Sequence, residues 1–236
     1  MADVHFVTDD VVWICYYDRQ GCIQSEGINF LADVPSFLVL LYALQRLNIE
    51  QWGLNPSLDD RVRRAHFGTF DRNYAGKIVV PKSMPVTIDG KEFELTGEVY
   101  HSTLSVIGRG TLTVGATFGG PRDKSYAVKI SWPEESRPNE VKILQAAMES
   151  AQGDTDITNH IPRVFATQDF PYHTGTVRKA LGIPAWEDGH PSSRLLRVIV
   201  FPRLRPITSL KRRFVYSWLE CVRCACYQTS LTRSCL

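Results

Sequence analysis

Three short turn sequences constrain this chain more than any other feature. Asp18-Arg19-Gln20-Gly21, Asp89-Gly90 and Gly119-Gly120-Pro121-Arg122-Asp123 each stand between two runs of aromatic and aliphatic residues. Glycine and aspartate tolerate the backbone angles of tight reversals, whereas Val, Ile, Tyr and Phe fit a pleated surface. Each turn therefore commits its flanks to pair with one another. The expected pairs lie within Val11–Phe30, within Val86–Tyr100, and between Leu104–Phe118 and Ser125–Trp132. The chain is thus expected to build antiparallel sheet from local hairpins.

Helical spacing interrupts this pattern twice. Asp33 stands as an N-cap before Val34-Pro35, and Phe37, Leu40, Leu41, Leu44 and Leu47 recur on one face of a helix that ends near Trp52-Gly53. The apolar run from Phe37 to Leu44 predicts a buried helix and is far shorter than the ~20 residues of a membrane span. A second helix is expected over Asn139–Ser150, with Val141, Leu144 and Met148 on one face and Ile143 and Ala147 beside it. Strands follow at Arg163–Thr167 and Leu195–Phe201, separated by a surface loop rich in Gly, Pro and His. Phe214–Tyr227 again has helical spacing, while Gln228–Leu236 has no pattern. Between Pro56 and Ser83 no period is sustained, apart from a short strand at Lys77–Val80, and a domain boundary is expected there.

Composition removes several classes of function. With 236 residues, 44% hydrophobic and 22% charged, the chain fits a soluble globular protein and no membrane role. A net charge of +2 and two short basic clusters, Arg61, Arg63, Arg64 and Lys211, Arg212, Arg213, read as solvated faces and imply no nucleic-acid partner. Met1–Asp10 lacks the basic and apolar regions of a leader, so a cytoplasmic or nuclear setting and reduced cysteines are expected. Cys221, Cys224, Cys226 and Cys235 have spacing that zinc could use. No metal site is expected there.

The chemistry lies in an ordered series. Ile107-Gly108-Arg109-Gly110-Thr111 opens a strand pair, Tyr126-Ala127-Val128-Lys129 lies on its second strand, Glu140 starts the next helix, and an apolar strand ending in a turn follows. Glycines let backbone N–H groups approach phosphates, and a strand lysine supplies positive charge that an acidic partner must hold. Alone, a G-x-G is an ordinary turn and an A-V-K an ordinary strand. In this order the four parts point to a nucleotide site.

The segments YYDRQGCIQSEGINF, FLVLLYALQRL with WGLNP, VIGRGT, YAVKISWPEESRPNE, FPRLRPITSL and WLECVRC resemble the fungal-type protein kinase family over most of Val11 to Cys224. That resemblance implies an α+β fold in three parts. A small α+β extension would occupy 1–83, a kinase-like N-lobe of antiparallel sheet plus C helix would run with its hinge over 84–210, and the start of a C-lobe helix with an aberrant tail would fill 211–236. The larger lobe would be largely absent. It also implies a catalytic ion pair, Lys129 with Glu140, with Glu149 as the weaker alternative. Ile107, Gly108, Arg109, Gly110 and Val114 would cover ATP, Ala127 would roof the adenine, and the hinge from Phe201 to Leu204 would meet the adenine edge. Arg203 and Arg205 beside it read as solvated surface.

The sequence departs from the general kinase pattern at three points. Thr113 stands at the third glycine position, the valine arrives early at Val114, and the interval from Lys129 to Glu140 is short for kinases at large, which suits the fungal-type SW…R…E variant. In addition, no H-R-D followed by asparagine and no D-F-G occurs, and all six histidines stand at or before His190. The expectation is a truncated kinase that binds ATP weakly, meets Mg²⁺ only with ATP, and does not transfer phosphate. Three readings stay open: an active kinase recorded in part, a non-catalytic module that binds nucleotide or docks protein partners, and a fragment with no function of its own.

Overall fold

The computed structural model describes residues 3–8, 10–48, 84–103, 107–119, 125–151, 154–183 and 193–204. Several expectations lie outside these ranges: the strand at 77–80, the helix at 214–227, most of the 119–123 turn, the basic clusters, Arg205, and the cysteines beyond residue 220.

The amino-terminal sheet is centred on β2 (Val11–Asp18), which pairs antiparallel with β1 (Asp3–Thr8), β3 (Gly21–Gln24) and β4 (Ile28–Asn29). The expected hairpin turn is present. Asp18 lies opposite Gly21, and its carboxylate accepts N–H bonds from Gln20 at 2.7 Å and Gly21 at 3.0 Å. Gly21 has a φ of 138°, which glycine adopts without a Cβ penalty. Strand β1 was not expected, because its alternation is short and no turn signal of glycine or proline separates it from β2.

Helix α1 (Val34–Arg46) begins as predicted, with Asp33 accepting the Ser36 N–H at 3.2 Å. It ends at Arg46, well before Trp52-Gly53, because Leu47 turns extended. The expectation of a buried helix is corrected. Leu40 is buried and Phe37 packs on Phe30, but Leu38, Val39 and Tyr42 are exposed. Apolar residues occupy nearly every side of this helix, and the short strand β4 with Phe30 can cover only one of them.

The larger sheet runs in the order β5-β6-β7-β8-β10-β9, antiparallel at each pairing: β5 (Met84–Ile88), β6 (Lys91–Ser102), β7 (Leu112–Phe118), β8 (Ser125–Ser131), β9 (Ala166–His173) and β10 (Leu195–Pro202). Asp89 and Gly90 form the predicted two-residue turn with φ of 52° and 68°. The strand expected from Leu104 begins instead at Leu112, since 107–111 breaks away as a loop. The strand expected at Arg163–Thr167 begins later and runs on to His173. The region predicted as surface loop also contains a helix, α4 (Thr174–Ala180).

Helices α2 (Glu140–Ser150) and α3 (Thr155–Thr158) connect β8 to β9. Ala147, Ala151 and Ile161 form a small core there with Leu144, Met148 and Ile157. The main core fills the concave face of the sheet, where Val86, Ile88, Phe93, Leu95, Val114, Val128, Val198 and Val200 are fully buried beside the rings of Phe118, Tyr126 and Phe165. The sheet curls until β5 approaches β9, and the Asp89 N–H donates to Gln168 Oε1 at 3.0 Å. No helix among the described residues is long and apolar enough to cross a membrane.

Candidate functional site

Strand alternation decides which residues share the face opposite the main core. Lys129 lies across from Thr113 on one side and Ile199 on the other, and Ala127 lies across from Gly115 and Phe201. On this face Lys129 Nζ donates to both Glu140 oxygens, at 2.8 and 2.6 Å. Glu140 is held there by the start of α2, where Asn139 caps the helix by accepting the Val141 N–H at 2.9 Å. The short interval between lysine and glutamate is bridged because α2 starts so soon after β8. Glu149, at the far end of the helix, is exposed and takes no part in this pair.

The segment 107–110 crosses above the end of β8. Gly108 and Gly110 have φ of 95° and 46°, angles that side chains disfavour. The carbonyls of Arg109 and Thr111 accept from Trp132 N–H at 2.7 Å and Thr103 N–H at 2.9 Å. Ile107 and Arg109 are exposed.

Val114 is a correction. It is fully buried within the main core, on the face away from Lys129, so its side chain cannot touch a ligand beside that lysine. Its early arrival in sequence shifts it by one residue, and a shift of one reverses the face. Gly115 takes the facing position, and Thr96 and Tyr100 lean over it: a Cβ there would lie 2.6 Å from Thr96 Oγ1 and 2.7 Å from the Tyr100 hydroxyl. An irregular stretch of β6 around Gly97, with a φ of 76°, turns these two side chains inward. Burial, followed by the Glu98 carboxylate to which its hydroxyl donates, raises the Tyr100 pKa.

At the opposite end of β10, Phe201 is half-buried and Leu204 is 76% exposed, and the Arg203 N–H bonds the Ser125 carbonyl at 2.9 Å. Arg203 pairs with Glu98 at 3.0 Å and lies over the Tyr100 ring.

The family described as "Fungal protein kinase" matches residues 5–198. The chain belongs to the fungal protein kinase family. No curated protein and no solved structure matches it. Within this fungal kinase chain the match takes in the amino-terminal hairpin, the glycine segment, Lys129 and Glu140, and stops short of Phe201 and Leu204.

Sequence reasoning missed the contact between the fungal kinase's amino-terminal turn and its glycine segment. The Gly108 N–H donates to the Arg19 carbonyl at 2.9 Å, and a Cβ on Gly110 would collide with the Arg19 guanidinium. Burial, and then the nearby Arg194, lowers the Arg19 pKa below the ordinary arginine value. The turn is anchored by Asp18, which receives two bonds from Arg178 of α4, at 2.8 and 2.7 Å. Arg194 in turn bonds Glu134 at 2.7 Å and the Trp132 carbonyl at 3.0 Å. No motif signals such contacts, because the partners are far apart in sequence, 60 residues for Arg194 and Glu134 and 160 for Asp18 and Arg178.

Proposed function

We propose that this fungal kinase lobe binds ATP on the Lys129 face, with phosphates between the 107–111 segment and Lys129 and the adenine between Ala127 and the 201–204 segment. One observation carries this reading: Lys129 is held by both oxygens of Glu140 on a half-exposed face, rather than buried in a core. A lysine fixed in this way keeps a point charge in place for the α and β phosphates. The positive φ angles of Gly108 and Gly110 suit a close backbone approach. The bare Cα of Gly115 lets Thr96 and Tyr100 close over the strand on the same face, so these two side chains border the site beside Ala127.

ATP would bring Mg²⁺ with it. The sequence contains no H-R-D and no D-F-G, so the reading for this polypeptide is nucleotide binding without phosphotransfer. The division into an extension over 1–83, a nucleotide lobe over 84–210 and a carboxyl segment over 211–236 belongs to the same proposal.

The test is a thermal-shift titration with Mg-ATP, which should raise Tm in a saturable way, since a ligand that binds only the folded state stabilises it. Lys129→Ala should remove the shift. An equal shift in that variant, or none in the native chain, overturns the reading.

A further inference from the structure

We infer that Arg19, on the turn of the amino-terminal hairpin, is a positioning residue for the glycine segment 107–110: the extension braces the loop that grips phosphate. The inference rests on the proposed nucleotide site for its ligand, but its geometry stands apart from it.

Three contacts converge on one turn. The Arg19 carbonyl takes the Gly108 N–H at 2.9 Å. The Arg19 guanidinium packs against the bare Cα of Gly110, where an added Cβ would overlap Arg19 Cζ, so a side chain there would displace the guanidinium from its present position. The turn itself cannot drift, because the fully buried Asp18 holds Gln20 and Gly21 through their N–H groups and is gripped by Arg178 through two bonds.

The remaining ties on the segment complete the argument. The Arg109 and Thr111 carbonyls are turned toward Trp132 and Thr103. In a trans peptide the following N–H points the opposite way, so the N–H groups of Gly110 and Leu112 face away from those donors. A glycine-rich segment is otherwise the most freely moving kind of backbone, and fixing it only when ligand arrives costs entropy. Holding it beforehand through Arg19 removes part of that cost. The benefit should reach only ligands that carry phosphate, because the brace touches the glycine segment and not the Ala127 end.

The experiment compares native chain and Arg19→Ala for binding of Mg-ADP and of adenosine by calorimetry, together with hydrogen exchange of the 107–111 amides without ligand. Expected are Mg-ADP binding weaker by about five- to tenfold, adenosine binding changed by less than about twofold, and faster exchange in 107–111. Equal weakening of both ligands together with a fall in Tm would make Arg19 a general fold residue. Tighter Mg-ADP binding would make it a latch that closes the site. Either result overturns the inference. Should the native chain bind neither ligand, the nucleotide reading fails, while the exchange measurement still decides the brace. Gly110→Ala supplies an independent check, since Arg19→Ala should restore part of the loop protection and binding it loses. Strict additivity of the two changes also sinks the proposal.

Discussion

Two ion pairs in this molecule look alike on a list of distances and differ in what they do. Lys129–Glu140 is partly open to water, at 27% and 44% side-chain exposure, so its contribution to stability is ~1 kcal/mol or less. Asp18–Arg178 has its carboxylate at 0% exposure, and breaking a buried pair leaves an uncompensated charge at a cost of ~3–5 kcal/mol. In urea unfolding, Glu140→Gln should therefore leave the midpoint nearly unmoved, while Arg178→Met should lower it clearly. Equal effects would contradict the assignment of one pair to function and the other to architecture. Glu134 gives a pH prediction. A hydrogen bond from Arg137, and the nearby Arg194, hold its carboxyl below the ordinary glutamate range, so its contribution is present above that range and is lost as pH falls through the depressed value. Native stability measured from pH 6 downward should fall more steeply below about 4.3 than that of Glu134→Gln. The first ion pair was legible in the sequence because a strand lysine and a helix-start glutamate are close in the chain. The second was not, since 160 residues separate its members and neither sits in a pattern.

At the scale of elements, turns carried the readable information. Asp18–Gly21 and Asp89–Gly90 direct local pairing, and a local pairing needs nothing from the rest of the chain to be recognised. Element ends were less readable for the same reason: where β7 begins depends on the glycine segment being tied to Arg19 and Trp132, and how far β9 runs depends on β10 lying beside it. Val114 shows the sharper limit. A motif fixes the order of residues, but the pleat fixes their faces, and the irregular stretch of β6 at Gly97 that brings Thr96 and Tyr100 over Gly115 has no signature beyond one glycine. Helix α2 gives a direct test. Asn139 caps it immediately before Glu140, and replacing a capping Asn by Ala costs ~1 kcal/mol. Asn139→Ala should lower stability by about that amount in urea unfolding. It should also weaken Mg-ATP binding more than Lys142→Ala does, a change at an exposed position of the same helix.

For the whole molecule, stability should centre on the concave core rather than on the extension. Phe93 is 1% exposed and touches the rings of Phe118, Tyr126 and Phe165, so Phe93→Ala should cost ~3–5 kcal/mol in chemical unfolding. Phe30→Ala, at a half-buried ring packed on a mostly exposed helix, should cost less than half as much, and a reversed order would relocate the centre of the fold. The composition and the hairpin signals made an antiparallel α+β chain foreseeable, but not that its six strands would bend round until the first nearly meets the last. That bend has a further consequence. A flat sheet ends in two straight rims whose unpaired donors and acceptors invite a neighbour to add another strand. Here the β5 rim turns toward β9, and at Asp89 its amide is already taken by Gln168, so a stray strand finds little straight border on which to begin a fibril.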